Sequence, residues 1–121
     1  MAGKHLVLLG DSVFDNQAYV ARGRAVVDHL RRTLPPSDRV TLLAMDGDGS
    51  QDIPDQLRRL PPDTTHLALS VGGNDVLGCL HAFNAPCRSV SEAFTHLNEL
   101  QSQFASSYRS AVSMVARWQL P

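Results

Sequence analysis

Short apolar runs recur along the chain, and each of them ends at a polar segment that contains glycine. The first run covers Leu6 to Leu9 and stops at Gly10. Two later runs, from Arg39 to Ala44 and from His66 to Val71, are bounded in the same way. Apolar runs of this length between glycine-containing segments are typical of buried strands. The pattern therefore predicts three strands.

The segments between these strands carry apolar residues at helical spacing. The first helix is predicted from about Gly23 to Leu34, where a Pro-Pro pair ends it. A second helix is predicted to begin at Ser50 as its N-cap, with Pro54 in the first turn. Alternating strands and helices connect through right-handed crossovers, so the expected fold class is α/β with a parallel sheet.

The C-terminal third of the chain predicts one long helix. Residues 76–88 are expected to form a loop, and Ser89 and Glu92 have the spacing of a capping box. Apolar positions then recur every three to four residues as far as about Trp118. This helix should return to a fourth parallel strand, and the sequence offers none. We therefore expect residues 1–121 to be the N-terminal part of a single domain, with an open edge on the third strand.

Composition and net charge restrict the possible protein classes and partners only slightly. The 121 residues are 43% hydrophobic and 19% charged, which suits one soluble globular domain. A net charge of -1 gives no electrostatic reason to expect nucleic acid or an anionic membrane as a partner. No apolar run approaches the length of a membrane span, and no secretory signal is visible, so a cytoplasmic location is expected. Cys79 and Cys87 are expected to be free thiols, with one loop disulfide as the alternative.

Each predicted strand leads into a loop with a residue suited to chemistry. Ser12 follows the first strand, Gly47 the second and Asn74 the third. The carboxyl ends of parallel strands lie at one edge of a sheet, so these residues are expected to be neighbours. A serine hydroxyl becomes a nucleophile when a base accepts its proton, while backbone N–H groups and an Asn amide stabilise an oxyanion. Each residue alone is also explained as a turn or a helix cap, and the combination favours a hydrolase.

Three segments, in this order, resemble the SGNH or GDSL hydrolase family of esterases and lipases: Gly10-Asp11-Ser12, Gly47, and Gly72-Gly73-Asn74-Asp75. The residues around them, 14–16 and 69–71, are similar to a bacterial branch of that family. The resemblance implies a flavodoxin-like, three-layer α/β/α fold of which three strands are present. It also implies a small-molecule carboxylic ester as substrate, with neither a metal nor an organic cofactor.

The resemblance further implies a role for each matching residue. Ser12 is the expected nucleophile, and its backbone N–H is one donor of the oxyanion hole. The other donors are the backbone N–H of Gly47 and the side-chain amide of Asn74. The remaining matching residues are expected in supporting positions: Asp11, Gly73 and Asp75.

The family also carries an Asp-x-x-His motif near its C-terminus, whose histidine is the general base. Asp63 and His66 have that spacing, but His66 precedes the third strand and is expected about 15 Å or more from Ser12. His5 is excluded for the same reason, because hydrogen-bond reach is only about 3 Å. His81 is nearer the correct edge and has no evident orienting acid. We therefore expect no catalytic base in this chain, and little or no activity of the chain alone.

Other interpretations stay open at this point. The alternative for a chain without the base is a non-catalytic relative that binds an ester or a glycan, or a truncated fragment. Residues 42–49 also resemble the first motif of haloacid-dehalogenase-type phosphatases, in which Asp46 would be the nucleophile and a Mg²⁺ ligand. That motif normally opens its fold, whereas a strand and a helix precede it here. Acyl specificity, alcohol specificity and oligomeric state do not follow from the sequence.

Overall fold

A computed structural model, which describes residues 3–120, contains one parallel sheet built from the three predicted strands. The strands are β1 (His5–Gly10), β2 (Arg39–Leu42) and β3 (His66–Ser70). Their order is β2-β1-β3, so β1 is central. Leu8 lies opposite Leu42, and Gly10 lies opposite Ser70. All three strands therefore run in one direction and end at the same edge of the sheet.

Helices cover both faces of the sheet, which confirms the predicted α/β fold. They are α1 (Val26–Thr33), α2 (Ile53–Arg58), α3 (Gly73–Gly78) and α4 (Val90–Arg117). On one face, Leu8 packs against Val27 of α1. On the other face, Leu9 packs in a core that contains Leu57 of α2 and Ala111 of α4. The alternation of side chains along β1 thus divides the core into two layers.

The third strand lies at one edge of the sheet that residues 3–120 form. Among residues 3–120, β3 pairs with β1 alone, and its side chains are half-buried or exposed. The apolar stripe of α4 is likewise only partly used. Ala111 is buried, but Val90 and Phe94 are 72% and 67% exposed. The C-terminal half of α4 therefore packs on the sheet, while its N-terminal half leaves apolar surface uncovered.

The first helix begins later than predicted. Ala25 is still extended, with φ -65° and ψ 157°, and α1 starts at Val26 rather than near Gly23. The backbone N–H of Ala25 donates to the Asp28 carboxylate at 3.1 Å, which stabilises this start. A 3-10 helix at Gln17–Tyr19 was not predicted.

The second strand is shorter than predicted, since it ends at Leu42 instead of Ala44. The backbone N–H groups of Leu43 and Ala44 both donate to the carbonyl oxygen of Leu8, at 3.0 and 2.8 Å. Two donors on one acceptor cannot continue a regular ladder, in which each carbonyl takes one partner. The chain therefore turns away from the sheet at this point.

The prediction of a loop at 76–88 is wrong in part. This segment contains the end of α3 and a 3-10 helix at Leu80–Asn84. Glycine at both ends of a six-residue helix lowers its propensity, which hides α3 from sequence patterns.

The long C-terminal helix is confirmed. The Ser89 hydroxyl accepts the backbone N–H of Glu92 at 3.1 Å, and α4 ends at Arg117, next to Trp118. The Glu92 carboxylate accepts the backbone N–H of Arg88 at 2.7 Å. Within residues 3–120, no helix has the length and apolar character needed to span a membrane. Both cysteine thiols are free.

Candidate functional site

Ser12 lies in the turn that follows β1. Gly10 has φ +124°, and a Cβ added there would lie 1.8 Å from the carbonyl oxygen of Ser70, so this close approach of β1 and β3 requires glycine. The buried carboxylate of Asp11 accepts the backbone N–H of Val13 at 3.0 Å and shapes the turn. Ser12 is half-buried, and its hydroxyl and backbone N–H are unpaired among residues 3–120. The turn therefore leaves Ser12 free to meet a ligand.

Gly47 lies in a turn after β2 that covers residues 45–48. The backbone N–H of Asp48 donates to the carbonyl oxygen of Met45 at 3.0 Å. Gly47, the third residue of the turn, has φ +91°. A positive φ at that position is a property of type II turns. Gly47 is exposed, and its N–H has no partner in the described part of the chain. The turn thus presents a free backbone donor to solvent.

Asp46, which precedes Gly47, is held from two sides. Its backbone N–H donates to the Asp15 carboxylate at 2.8 Å, and its own carboxylate accepts the hydroxyl of Tyr19 at 2.7 Å. The hydrogen bond to Asp46 raises the pKa of Tyr19 above its ordinary value of 10.0. The loop after β1 and the loop after β2 are therefore connected next to Gly47.

Asn74 and Asp75 lie in the first turn of α3, not in an irregular turn. The side-chain Nδ2 of Asn74 donates to the carbonyl oxygen of Asp48 at 2.9 Å. An amide nitrogen carries two hydrogens, so this bond leaves one of them available to a ligand. Gly73, the first residue of α3, is exposed and has open space around it. The structure therefore brings Asn74 to the residue that follows Gly47.

Ser50 is not the helix N-cap that the sequence predicts. It begins a 3-10 helix (Ser50–Asp52) that precedes α2, and its hydroxyl is a donor rather than the acceptor that capping needs. The hydroxyl and the backbone N–H of Ser50 both bind the Asp75 carboxylate, at 2.8 Å and 3.0 Å. Asp75 thus joins the loop after β3 to the start of the second helical segment. Pro54 does lie in the first turn of α2, as predicted.

Gln56 of α2 was missed by sequence reasoning, although it lies at the centre of these loops. Its side chain is fully buried and makes three hydrogen bonds of 2.8 Å. They join it to the backbone N–H and carbonyl of Gly10 and to the carboxylate of Asp48. The available signal is a polar residue on the face of α2 that Ile53 and Leu57 otherwise make apolar.

Asp63 and His66 do not form a catalytic pair. His66 lies opposite Leu6 in the β1–β3 ladder, whereas the Ser12 loop begins past Gly10. Four steps along the strand put about 13 Å between these levels. Asp63 instead contacts His5, from Asp63 Oδ1 to His5 Nδ1 at 3.0 Å. This His–Asp pair therefore lies at the end of the sheet opposite Ser12.

The other histidines lie in helical segments rather than in the Ser12 loop. His81 is exposed in the 3-10 helix after α3, where its Nδ1 contacts the carbonyl oxygen of Gly78 at 2.9 Å. His29 lies on α1 and His96 on α4. No histidine in the described range contacts the Ser12 hydroxyl. Residues 3–120 also contain no cluster of three or more side chains arranged to hold a metal ion.

Comparison with known proteins supports a relationship at the level of the fold. No protein-family model and no curated protein matches this sequence. Among solved structures, the chain is similar to AlinE4, an SGNH-hydrolase family esterase, with a TM-score of 0.53 and 24% identity. A single-residue mutant of that esterase gives the same values. The similarity covers 84% of this chain and 55% of the esterase, so the chain spans about half the length of the proteins it matches. The parallel sheet and its helices are thus a partial match to the SGNH hydrolase fold.

Proposed function

We propose that this chain carries the nucleophile and the oxyanion-binding groups of a GDSL-type carboxylic ester hydrolase. One observation carries the proposal. Asn74 contacts the residue after Gly47 at the sheet edge where the Ser12 loop begins, and Ser12, Gly47 and Asn74 each keep a hydrogen-bond donor that has no partner among residues 3–120. Free N–H donors on loops at the same sheet edge as a free serine hydroxyl are suited to acyl transfer.

The proposed chemistry begins with attack of Ser12 Oγ on the carbonyl carbon of the ester, while a base accepts the hydroxyl proton. Negative charge develops on the carbonyl oxygen, where the Ser12 and Gly47 N–H groups and the free Asn74 N–H donate hydrogen bonds. The alcohol then leaves with a proton and an acyl-serine remains. Water releases the acid by the same steps in reverse order. No step requires a metal or an organic cofactor.

The general base is proposed to come from outside these 121 residues, in a longer protein of which they form the N-terminal part. Support comes from the half-length match to AlinE4 and from β3, which pairs with no second strand among residues 3–120. A serine hydrolase that lacks its base still reacts about 10³–10⁴-fold faster than the reaction in water, because oxyanion binding and substrate positioning remain. The chain alone is therefore expected to have little turnover.

No histidine among residues 3–120 contacts Ser12, which also favours a second candidate, a domain that binds an ester or glycan and leaves it intact. The phosphatase alternative has less support. The carboxylate of Asp46 accepts the Tyr19 hydroxyl, and the described residues around Asp46 do not form a set of metal ligands. Ester binding without cleavage and ester hydrolysis differ in one measurable property, the reactivity of Ser12.

An external base tests this difference. The chain is incubated with a fluorophosphonate at increasing imidazole concentration, and the modified residue is located by peptide mass spectrometry. We expect labelling of Ser12 at a rate that rises with the concentration of neutral imidazole, because imidazole supplies the missing proton acceptor. Ser12→Ala removes the label, and Ser102→Ala, at an exposed position of α4, does not. A labelling rate that does not depend on imidazole concentration, or a label spread over several serines, would favour the binding function.

A further inference from the structure

We propose that Gln56 is a positioning residue that holds the Ser12 loop and the Gly47 loop at a set separation; this inference rests on the proposed hydrolase site. The Gln56 side chain contacts the backbone of Gly10, two residues before Ser12, and the carboxylate of Asp48, directly after Gly47. One side chain therefore joins the two segments that flank the candidate site.

The orientation of the Gln56 amide follows from its partners. Nε2 faces two acceptors, the carbonyl oxygen of Gly10 and the carboxylate of Asp48, and Oε1 faces the N–H of Gly10. A flipped amide would place oxygen against two oxygens and NH₂ against N–H. All the strong hydrogen-bonding directions of the amide except one lone pair are thus used, and the side chain is held in a single arrangement.

A third loop is connected through Asp48. While its carboxylate accepts from Gln56, its backbone carbonyl accepts from the Asn74 side chain at 2.9 Å. Gln56 and Asp48 together thus form a path of hydrogen bonds from the Ser12 loop to Asn74. Removal of one member of this partly buried path changes the position of all three loops, because the polar groups left without a partner must find a new one.

The burial of Gln56 makes its hydrogen bonds difficult to replace. Its side chain is 0% exposed, so water does not replace a lost hydrogen bond without rearrangement of α2. Its neighbours on α2, Ile53 and Leu57, belong to the apolar core, where most buried side chains carry no polar group. Positioning of the loops explains why a polar side chain occupies this place.

The test compares Gln56→Met, which keeps the volume and removes all three hydrogen bonds, with Gln103→Met, the same change at an exposed position of α4. Ser12 labelling by the fluorophosphonate is measured in imidazole, under conditions where each variant is folded. We expect the labelling rate of Gln56→Met to fall about tenfold to a hundredfold, as misplacement of reacting groups produces, and the rate of Gln103→Met to stay unchanged. An unchanged rate in folded Gln56→Met would overturn the proposal.

If Gln56→Met does not fold, variants that exchange the hydrogen-bond donor and acceptor between positions 56 and 48 provide the test. Gln56→Glu places a carboxylate beside the carboxylate of Asp48, and the double variant Gln56→Glu/Asp48→Asn restores a donor and an acceptor with exchanged roles. Positioning predicts that the single change lowers the rate and that the double variant recovers part of it. If Gln56 serves stability alone, the double variant regains free energy of unfolding, but Ser12 labelling is the same in every folded variant.

Nuclear magnetic resonance separates this inference from the proposed function. In ¹⁵N-labelled protein, Gln56→Met should shift the backbone amide signals of Ser12 and Gly47 and the side-chain NH₂ signals of Asn74, whereas Gln103→Met should not. These shifts are measurable whether or not Ser12 reacts. Absent labelling of the wild-type chain together with these shifts would refute the hydrolase and retain the positioning role. Normal labelling of wild type and Gln56→Met alike, without shifts, would refute the positioning role alone.

Discussion

The carboxylate of Asp75 binds Ser50 twice, accepting its backbone N–H at 3.0 Å and its hydroxyl at 2.8 Å. This pair joins the first turn of α3 to the segment before α2, and Ser50 is only 4% exposed. Hydrogen bonds to a carboxylate are stronger than those between neutral groups. The contact therefore stabilises the side of the site that contains Asn74.

Ser50→Ala removes the hydroxyl donor and leaves Asp75 with the backbone N–H. We expect a loss of about 1.5–3 kcal/mol in the free energy of unfolding, the typical contribution of a hydrogen bond to a charged group. Urea denaturation measures it, with Ser102→Ala at an exposed position as the control. Equal stability of the two variants would mean that the Ser50–Asp75 contact adds nothing to the fold.

Gly10→Ala should be among the most damaging single changes in the chain. The added methyl group would overlap the carbonyl oxygen of Ser70, and the residue would remain at φ +124°. Backbone strain alone costs about 1–3 kcal/mol, and relief of the overlap would separate β1 from β3. Gly78→Ala is the matched control, because nothing lies within 4 Å of its Cβ position and it lies in a helix. Thermal unfolding should show a large fall in Tm for the first variant and none for the second.

The sheet was predictable because the signals for it are local. An apolar run such as Leu6 to Leu9 indicates a buried strand, and the glycine after it indicates where the strand ends. The order of strands and helices then determines the topology. The capping residue Ser89 belongs to the same class of short-range signals. These features depend on residues that are neighbours in sequence.

The supporting contacts of the site were not predictable because they join residues that are distant in sequence. Gln56 contacts Gly10 across 46 positions, and Ser50 contacts Asp75 across 25. Ser50 also has the local appearance of a helix cap, and only the folded chain brings a competing acceptor to it. The positions of Ser12, Gly47 and Asn74 at one edge follow from topology, but their catalytic roles stay predictions.

His5 gives a pH-dependent prediction for the opposite end of the sheet. It is 4% exposed, and its ring contacts Asp63 at Nδ1 and the hydroxyl of Thr41 at Nε2, at 3.0 and 2.8 Å. The Thr41 hydroxyl donates to Nε2 when the ring is neutral. Burial first, and the positive charge of Arg39 second, lower the pKa of His5 below its ordinary value of 6.5. The folded protein therefore favours the neutral imidazole.

The sign of the pH effect follows from this shift. Near the ordinary pKa the unfolded chain binds more protons at His5 than the folded chain does, so the free energy of unfolding rises with pH there. The contribution is present above the unfolded pKa of 6.5 and is lost as the pH falls through the lower folded pKa. Urea unfolding between about pH 7.5 and about pH 5.5 should show decreasing stability toward acid.

Two histidine variants test whether His5 causes the pH dependence of the free energy of unfolding. His5→Gln removes the titrating group, at an expected cost of about 1–3 kcal/mol near neutral pH for the disrupted buried contacts, and should flatten the profile. His29→Gln, on the exposed surface of α1, should leave the slope as in the wild type. A slope that persists in His5→Gln would assign the dependence to other groups.

Asn74 should matter for the reactivity of Ser12 more than for stability. Its side chain is only half-buried and makes a single hydrogen bond within the described residues, to the Asp48 carbonyl, whereas its free N–H is the proposed third oxyanion donor. Loss of one such donor typically lowers the rate about 10²–10³-fold. We therefore expect Asn74→Ala to lower the imidazole-dependent labelling of Ser12 by this factor, with little change in the urea midpoint. Asn98→Ala, on the exposed surface of α4, is the control. A fall shared by both variants, or no fall in Asn74→Ala, would remove Asn74 from the proposed site.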